Sequence, residues 1–251
     1  MASLSVNVNK VATLRNSRGG AIPSVLEAVR VCLAAGATGI TVHPRADRRH
    51  ITPDDVRQIA DELRPLRDSV EFNIEGDPRA ELLAIVAEVR PHQCTLVPVK
   101  AGEVTSEAGW PPDTPADAMQ RIVGDLRAAG VRVSLFVDPE LPAVEWAARM
   151  GGDRVELYTE PYARACERGP AARDRSFTDY ARAAERAHAL GLGVNAGHDL
   201  DLENLPLFRT LPHLDEVSIG HALISRALFV GLGPVVAEYL QVLKAGAPIE
   251  T

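Results

Sequence analysis

Four of the seven histidines in this 251-residue chain stand just behind short β-branched runs, and several glutamates and asparagines share those runs. His43 ends Gly39-Ile40-Thr41-Val42-His43, and Glu75 ends Glu71-Phe72-Asn73-Ile74-Glu75. Glu156 lies between Val155 and Leu157, His198 follows Asn195-Ala196-Gly197, His221 follows Ser218-Ile219-Gly220, and His50 stands in the basic stretch behind His43. Imidazole exchanges protons near neutrality, and a carboxyl tuned by its surroundings does the same, so the set reads as general acid–base chemistry. Arg45, with Asp47, Arg48 and Arg49 behind it, reads as an anion clamp, because guanidinium matches phosphate and carboxylate bidentately; a plain solvated loop is the competing reading. Asn7 and Asn9 alternate with Val6 and Val8 and are expected to point to one side of the first strand. The turns Gly197-His198-Asp199 and Gly220-His221-Ala222 each place a glycine where backbone N–H groups can approach a phosphate, and Arg18 and Arg45 would add positive charge.

Lys10 and Lys100 follow strands; each is either a candidate Schiff-base lysine or a counter-charge for phosphate. Glu71 starts its strand and is expected to be structural, as are His92, His188 and His213, while Cys94 reads as a small buried hydrophobe. No HxH, HExxH or carboxylate pair sits at tight ligand spacing, so no metal is expected; convergence of His43, Glu75 and His198 on a divalent ion is the minor alternative.

These residues need a frame that brings them to one place. Ala-rich helical stretches end at Gly36, Gly130, Gly151 and Gly191, each running straight into a β-branched segment, which is the signature of a left-handed helix cap before a strand. Strands are predicted near 4–9, 39–43, 70–75, 93–98, 131–136, 154–158, 193–195 and 216–219. A helix is predicted after each, with starts such as Thr52-Pro53 and Asp77-Pro78 that combine a cap with proline at the first helical position. Eight strand–helix units in about 250 residues predict parallel strands closed into a (β/α)8 TIM barrel with additional helices, as one domain over 1–251. An open doubly wound sheet is the competitor, and the missing G-x-G-x-x-G after the first strand counts against it. In such a barrel, chemistry sits at the carboxyl ends of the strands, where these polar residues fall.

Composition narrows the partners. The formal charge is −7, which disfavours nucleic acid and anionic membranes. Aromatics are 4 %, too few for a base-stacking platform, so the core must be Ala, Val, Leu and Ile. The apolar tract 219–243 contains His221, Arg226, Pro234 and Glu238 and reads as a broken, buried helix rather than a membrane span. Three scattered cysteines and a start without a signal sequence point to a reducing, cytoplasmic setting.

The stretch Val6-Asn7-Val8-Asn9-Lys10-Val11-Ala12-Thr13-Leu14-Arg15-Asn16-Ser17-Arg18-Gly19 resembles the start of the pyridoxine 5'-phosphate synthase family. The resemblance continues through Gly39-Ile40-Thr41-Val42-His43-Pro44-Arg45, Asn73-Ile74-Glu75, Thr95-Leu96-Val97-Pro98 and Ser134-Leu135-Phe136-Val137-Asp138. Val194-Asn195-Ala196-Gly197-His198 and Ser218-Ile219-Gly220-His221-Ala222 complete it, in order and nearly end to end. It implies a (β/α)8 barrel assembled as a homo-octamer, working without cofactor. It further implies condensation of 1-deoxy-D-xylulose 5-phosphate with 3-amino-2-oxopropyl phosphate to pyridoxine 5'-phosphate, inorganic phosphate and water. By matching position, the resemblance implies His43 and Glu75 as proton acceptors, His198 as proton donor and Glu156 as a transition-state stabiliser. It assigns Asn7, Arg18, Asp199, Gly220 and His221 to the amino-ketone phosphate, and Asn9, Lys10, Arg45, His50 and Thr105 to the deoxyxylulose phosphate.

The chain departs from the commoner family pattern at Asn9-Lys10, Val99-Lys100-Ala101, Tyr158-Thr159-Glu160 and Asp199, the last standing where a second glycine is usual. A carboxylate there would repel phosphate, so only the Asp199 backbone N–H is expected to serve. The segment 99–115 after the fourth strand is expected to close over the site as a lid. Two rivals remain at this point: another barrel enzyme on phosphosugars, isomerase or lysine-dependent aldolase, and a catalytically silent barrel kept as a binding protein.

Overall fold

The computed structural model describes residues 2–99 and 106–245. Eight strands, β1 (Ser3–Asn7), β2 (Gly39–Val42), β3 (Glu71–Gly76), β4 (Gln93–Leu96), β5 (Arg132–Val137), β6 (Arg154–Tyr158), β7 (Gly193–His198) and β8 (Leu214–Ile219), pair in parallel in chain order. The ring closes where Ser5 of β1 meets Ser218 of β8. Between strands run α1 (Asn9–Asn16) and α2 (Val25–Ala34), α3 (Pro53–Leu63), α4 (Ala80–Val89), α5 (Ala116–Ala128), α6 (Leu141–Arg149), α7 (Glu160–Glu167) and α8 (Pro170–Ala189), and α9 (Leu205–Phe208). The helices α10 (His221–Val230) and α11 (Leu232–Lys244) follow β8. The predicted (β/α)8 barrel with extra helices is therefore the observed fold.

Local chemistry explains the boundaries. Gly36, Gly130, Gly151 and Gly191 all have φ between +79° and +99°, the left-handed cap that the Ala-Gly junctions predicted. Thr52 caps α3 through a reciprocal box with Asp55. Three expectations shift. The first strand ends at Asn7, because the chain turns at Val8 and Asn9 opens α1, its N–H donating to Asn7 Oδ1. The helix predicted from Asp77-Pro78 begins at Ala80, because Arg79 is extended and its guanidinium holds the Asp77 carboxylate. The tract 219–243 is broken as expected, the break falling at Gly231, but Leu228 and Phe229 on α10 are 68 % and 88 % exposed rather than buried.

Strand parity divides the molecule. Leu4, Val6, Ile40, Val42, Ile74, Leu96, Val133, Leu135, Val155, Leu157, Ala196, Val217 and Ile219 are buried and outward-facing, and pack with the helices as the main core. The inward positions are polar: Ser5, Thr41, Asn73, Thr95, Ser134, Asn195 and Ser218 are all buried. Several of them pair across strands, with the Ser5 and Thr41 hydroxyl oxygens 2.7 Å apart and Thr95 donating to Asn73 Oδ1 at 3.1 Å, while Ser134 Oγ has no hydrogen-bond partner among the described residues. At the amino-terminal end Arg132 binds Glu71 and Gln93, and Arg154 donates to Asn195 Oδ1 at 2.7 Å. Glu71 is thus structural, as expected. Asn195 in turn donates to Glu216 Oε1 at 3.4 Å.

Candidate active site

At the carboxyl ends of the strands this polar interior opens into a cavity of about 440 Å³. Asn7, Asn9, Lys10, His43, Arg45, His50, Glu75, Glu156, His198, Asp199, Gly220 and His221 all line it, so twelve of the fourteen predicted site residues meet in one place. Arg18 does not: it is exposed in the turn behind α1. Thr105 lies outside the described residues, as does Lys100. Arg49, Thr13, Ser106 and Ser218 also line the cavity and were not among the predicted contacts. Ser218 was findable, since it shares the inward parity of Glu216 and Gly220; Ser106 carries no such pattern. Val97, Phe136 and Tyr158 form a separate small apolar cluster, at inward positions beside the polar groups. A second cavity of about 370 Å³ lies among α3, α4 and the start of β3, but its Arg57 and Arg64 are already paired with Glu88 and Asp61.

His43 is held from two sides. Its N–H donates to Asn9 Oδ1 at 2.9 Å, and its Nδ1 stands 3.8 Å from Glu75 Oε2. Burial, then the positive charges of Arg45, His50, Arg79 and Arg49, push its basicity well below the ordinary histidine value. Burial drives Glu75 the other way, with Glu156 and Glu216 adding repulsion that Ser218 and Arg45 only partly offset. Burial thus works against the charged form of both partners. Asn7 Nδ2 reaches Glu75 Oε2 at 3.4 Å.

Glu156 is pushed up to about 7 by burial, with Thr95 and the charge of His198 pulling it back. Its Oε2 and the Nε2 of His43 are buried and have no hydrogen-bond partner among the described residues. Buried polar atoms are almost always satisfied, so two such atoms on one cavity mark where another molecule's polar groups are received. His50 is depressed to about 4 by burial, Arg45, Lys10 and Arg49, and its Nδ1 accepts from the Ile51 N–H. The neighbouring Lys10, Arg45 and Arg49 make this rim positive and fit for an anion. Opposite lies the amino terminus of α10, where Gly220 packs so closely on Asn7 that an added Cβ would come within 3.0 Å of its Cβ.

His198 ends β7 with φ +112°, a strained conformation for a residue with a side chain. Its ring is edge-on to Tyr158 at 5.3 Å, and its Nδ1 is 2.6 Å from Asp199 Oδ2. The segment expected as a lid is partly fastened. Trp110 donates from Nε1 to the Leu96 carbonyl at 2.8 Å and from its backbone to Phe136, and its ring stacks on Trp146. Gly109 presses on the backbone of Val137 and Asp138.

Residues 4–245 match the family model described as pyridoxal phosphate biosynthesis protein PdxJ. The chain is 51 % identical over 245 residues to pyridoxine 5'-phosphate synthase of Bacteroides fragilis, covering 97 % of this chain and 100 % of that one. It is 46 % identical over 260 residues to the enzyme of the same name from Leptospira biflexa, covering both chains fully. Among solved structures it is similar to a thiamine phosphate pyrophosphorylase from Pyrococcus furiosus (TM-score 0.63, 15 % identity, 97 % of this chain and 95 % of that one). It is also similar to a phosphoribosyl anthranilate isomerase from Thermotoga maritima (TM-score 0.62, 15 % identity, 97 % and 99 %). At that identity the structural likeness speaks for the barrel alone.

Proposed function

The chain belongs to the family of pyridoxal phosphate biosynthesis protein PdxJ, and on that premise we propose how its cavity makes pyridoxine 5'-phosphate. The substrates are 1-deoxy-D-xylulose 5-phosphate and 3-amino-2-oxopropyl phosphate, and inorganic phosphate and water leave. The observation that carries this reading is the convergence of His43, Glu75, Glu156 and His198 on one cavity with two unsatisfied buried atoms.

Ring formation from an amine and two carbonyl compounds needs imine formation, several proton transfers and loss of water and phosphate. His43, kept neutral by its surroundings, is ready to accept a proton at neutral pH. Glu75, 3.8 Å away and raised by burial, is close enough to exchange protons with it. His198 supplies the proton to a departing oxygen, and Glu156 steadies positive charge as it develops on nitrogen. Lys10, Arg45, Arg49 and His50 receive one phosphate; Asn7, Gly220 and His221, at the start of α10, receive the other. Holding both by their phosphates supplies the encounter that a bimolecular condensation otherwise lacks.

The protein acts as one (β/α)8 domain and a homo-oligomer, an octamer by resemblance, in the cytoplasm. Exposed Leu14 on α1, Ile22 behind it and Leu228 and Phe229 on α10 support self-association, and three free cysteines fit a reducing compartment.

The test is to mix the purified protein with the two phosphates and follow the pyridine chromophore by absorbance. Growth of that band is expected. His43→Ala, Glu75→Ala and His198→Ala should each slow it at least roughly a hundredfold. Near-normal turnover in all three would overturn the site, and no chromophore with the parent protein would overturn the reaction.

A further inference from the structure

Asp199 stands where the resemblance expects a glycine, and its carboxylate meets the neighbouring His198 ring. Oδ2 lies 2.6 Å from His198 Nδ1, with His198 24 % and Asp199 31 % exposed at their side chains. The backbone of Asp199 is itself anchored: its carbonyl accepts from Asn204 Nδ2 at 3.0 Å. Asn204 is buried, its Oδ1 accepts from the Asp201 N–H, and its own carbonyl accepts from the Tyr162 hydroxyl at 3.1 Å. The carboxylate is thus carried on a braced turn, and it is matched to a histidine whose backbone is strained into place.

We propose that Asp199 is a positioning residue for the proton donor of this site, fixing the His198 ring with its proton on Nδ1 so that Nε2 is the nitrogen that exchanges with substrate. The inference rests on the reading of His198 given above. In the step assigned to it, imidazolium His198 gives its Nε2 proton to a leaving oxygen as the carbon–oxygen bond breaks, and returns to neutral imidazole with hydrogen on Nδ1. Asp199 stays ionised throughout, as carboxylates that orient a catalytic imidazole do. Burial works against its ionised form, but the His198 hydrogen bond and the charges of His198, Arg164 and His221 outweigh it, and Asp199 lies below the usual carboxylate range. The other titratable groups around the pair are Glu156 and Tyr158 on β6, Glu160 and Arg164 on α7 and His221 on α10.

The experiment compares the full-length protein with Asp199→Asn, which keeps the shape and removes the charge, and with Asp199→Gly, which restores the commoner residue. With Asp199→Asn, kcat should fall about tenfold while KM for both phosphates moves less than threefold. The alkaline limb of the kcat profile should move to lower pH by about one unit, as for a proton donor deprived of its carboxylate. In the 15N spectrum of the unliganded protein, His198 should change from the Nδ1-protonated form to a mixture; this readout stands even if turnover is unmeasurable. Asp199→Gly should show the same spectral change. An unchanged spectrum, or a KM that rises with kcat intact, would overturn the proposal and return Asp199 to the phosphate contacts. If His198→Ala is fully active, the reading of His198 fails instead; if His198→Ala is dead while Asp199→Asn behaves as the parent, only the proposal about Asp199 fails.

Discussion

Gly197 separates chemistry from stability in one substitution. It lies on β7 opposite Tyr158 of β6, two positions beyond the Asn195–Glu156 pair. A Cβ built there would overlap Glu156 Oε1 and lie 3.3 Å from its Cδ and from the Ser218 carbonyl. The backbone at Gly197 is not in the left-handed region, so alanine is conformationally acceptable. What must yield is the tip of a flexible side chain, by about 1 Å to regain van der Waals distance. Driving a side chain off its preferred rotamer costs about 0.5–1.5 kcal/mol, and replacing a strand glycine returns about 0.5–1 kcal/mol. The net change in stability for Gly197→Ala is within about 1 kcal/mol, a Tm shift of at most about 4 °C in a chain of this size. A 1 Å displacement of a reacting group, by contrast, costs about a hundredfold in rate. The assay pairs a thermal melt with kcat for pyridoxine 5'-phosphate formation, in Gly197→Ala, Glu156→Gln and the double variant. The two lesions should not add, because both act on one carboxyl. A kcat within threefold of the parent, or additive losses in the double variant, would refute the assignment of this space to Glu156.

Gly109→Ala should behave in the opposite way: its Cβ meets the backbone of Val137 and Asp138, which cannot retreat, so about 1–3 kcal/mol of stability is lost. Trp110 and Trp146, the only two tryptophans, would report the loosened segment by fluorescence. Arg15→Ala removes the bidentate partner of largely buried Asp55 and should cost about 3 kcal/mol in a denaturant titration, with the loss fading as pH falls below about 3.8 and Asp55 protonates. Glu216 is raised from 4.5 to about 8, so the folded state binds its proton more tightly than the unfolded one, and stability falls as pH rises between those values. Glu216→Gln removes that share, and its melting curve should be flatter from pH 5 to 8, by a difference on the order of 3 kcal/mol.

The barrel was legible because each helix announces its end with glycine and each strand begins within a few residues, a local rule that tertiary contacts did not override. The gathering of His43, Glu75, Glu156 and His198 followed from that frame, since strand order and direction put all four at one rim. Three things were not legible. Arg18 depends on where α1 stops: the helix runs to Asn16 and leaves Arg18 exposed in the turn beyond it. The titration of His43, expected near neutrality, is set first by its burial and then by Arg45, His50 and Arg79, and only folding creates either. The partner of the Asp199 side chain was not legible because a sequence places a carboxylate on a turn without saying that the preceding imidazole will meet it.

The interior of this barrel holds hydroxyls, amides and acids where branched aliphatic layers are usual, while the oily faces of the strands turn toward the helices. Folding strength and reactivity are thereby lodged on opposite surfaces of the same ribbon. An exchange of one hydrophilic group for another along the axis opens no void in the greasy shell that holds the barrel together.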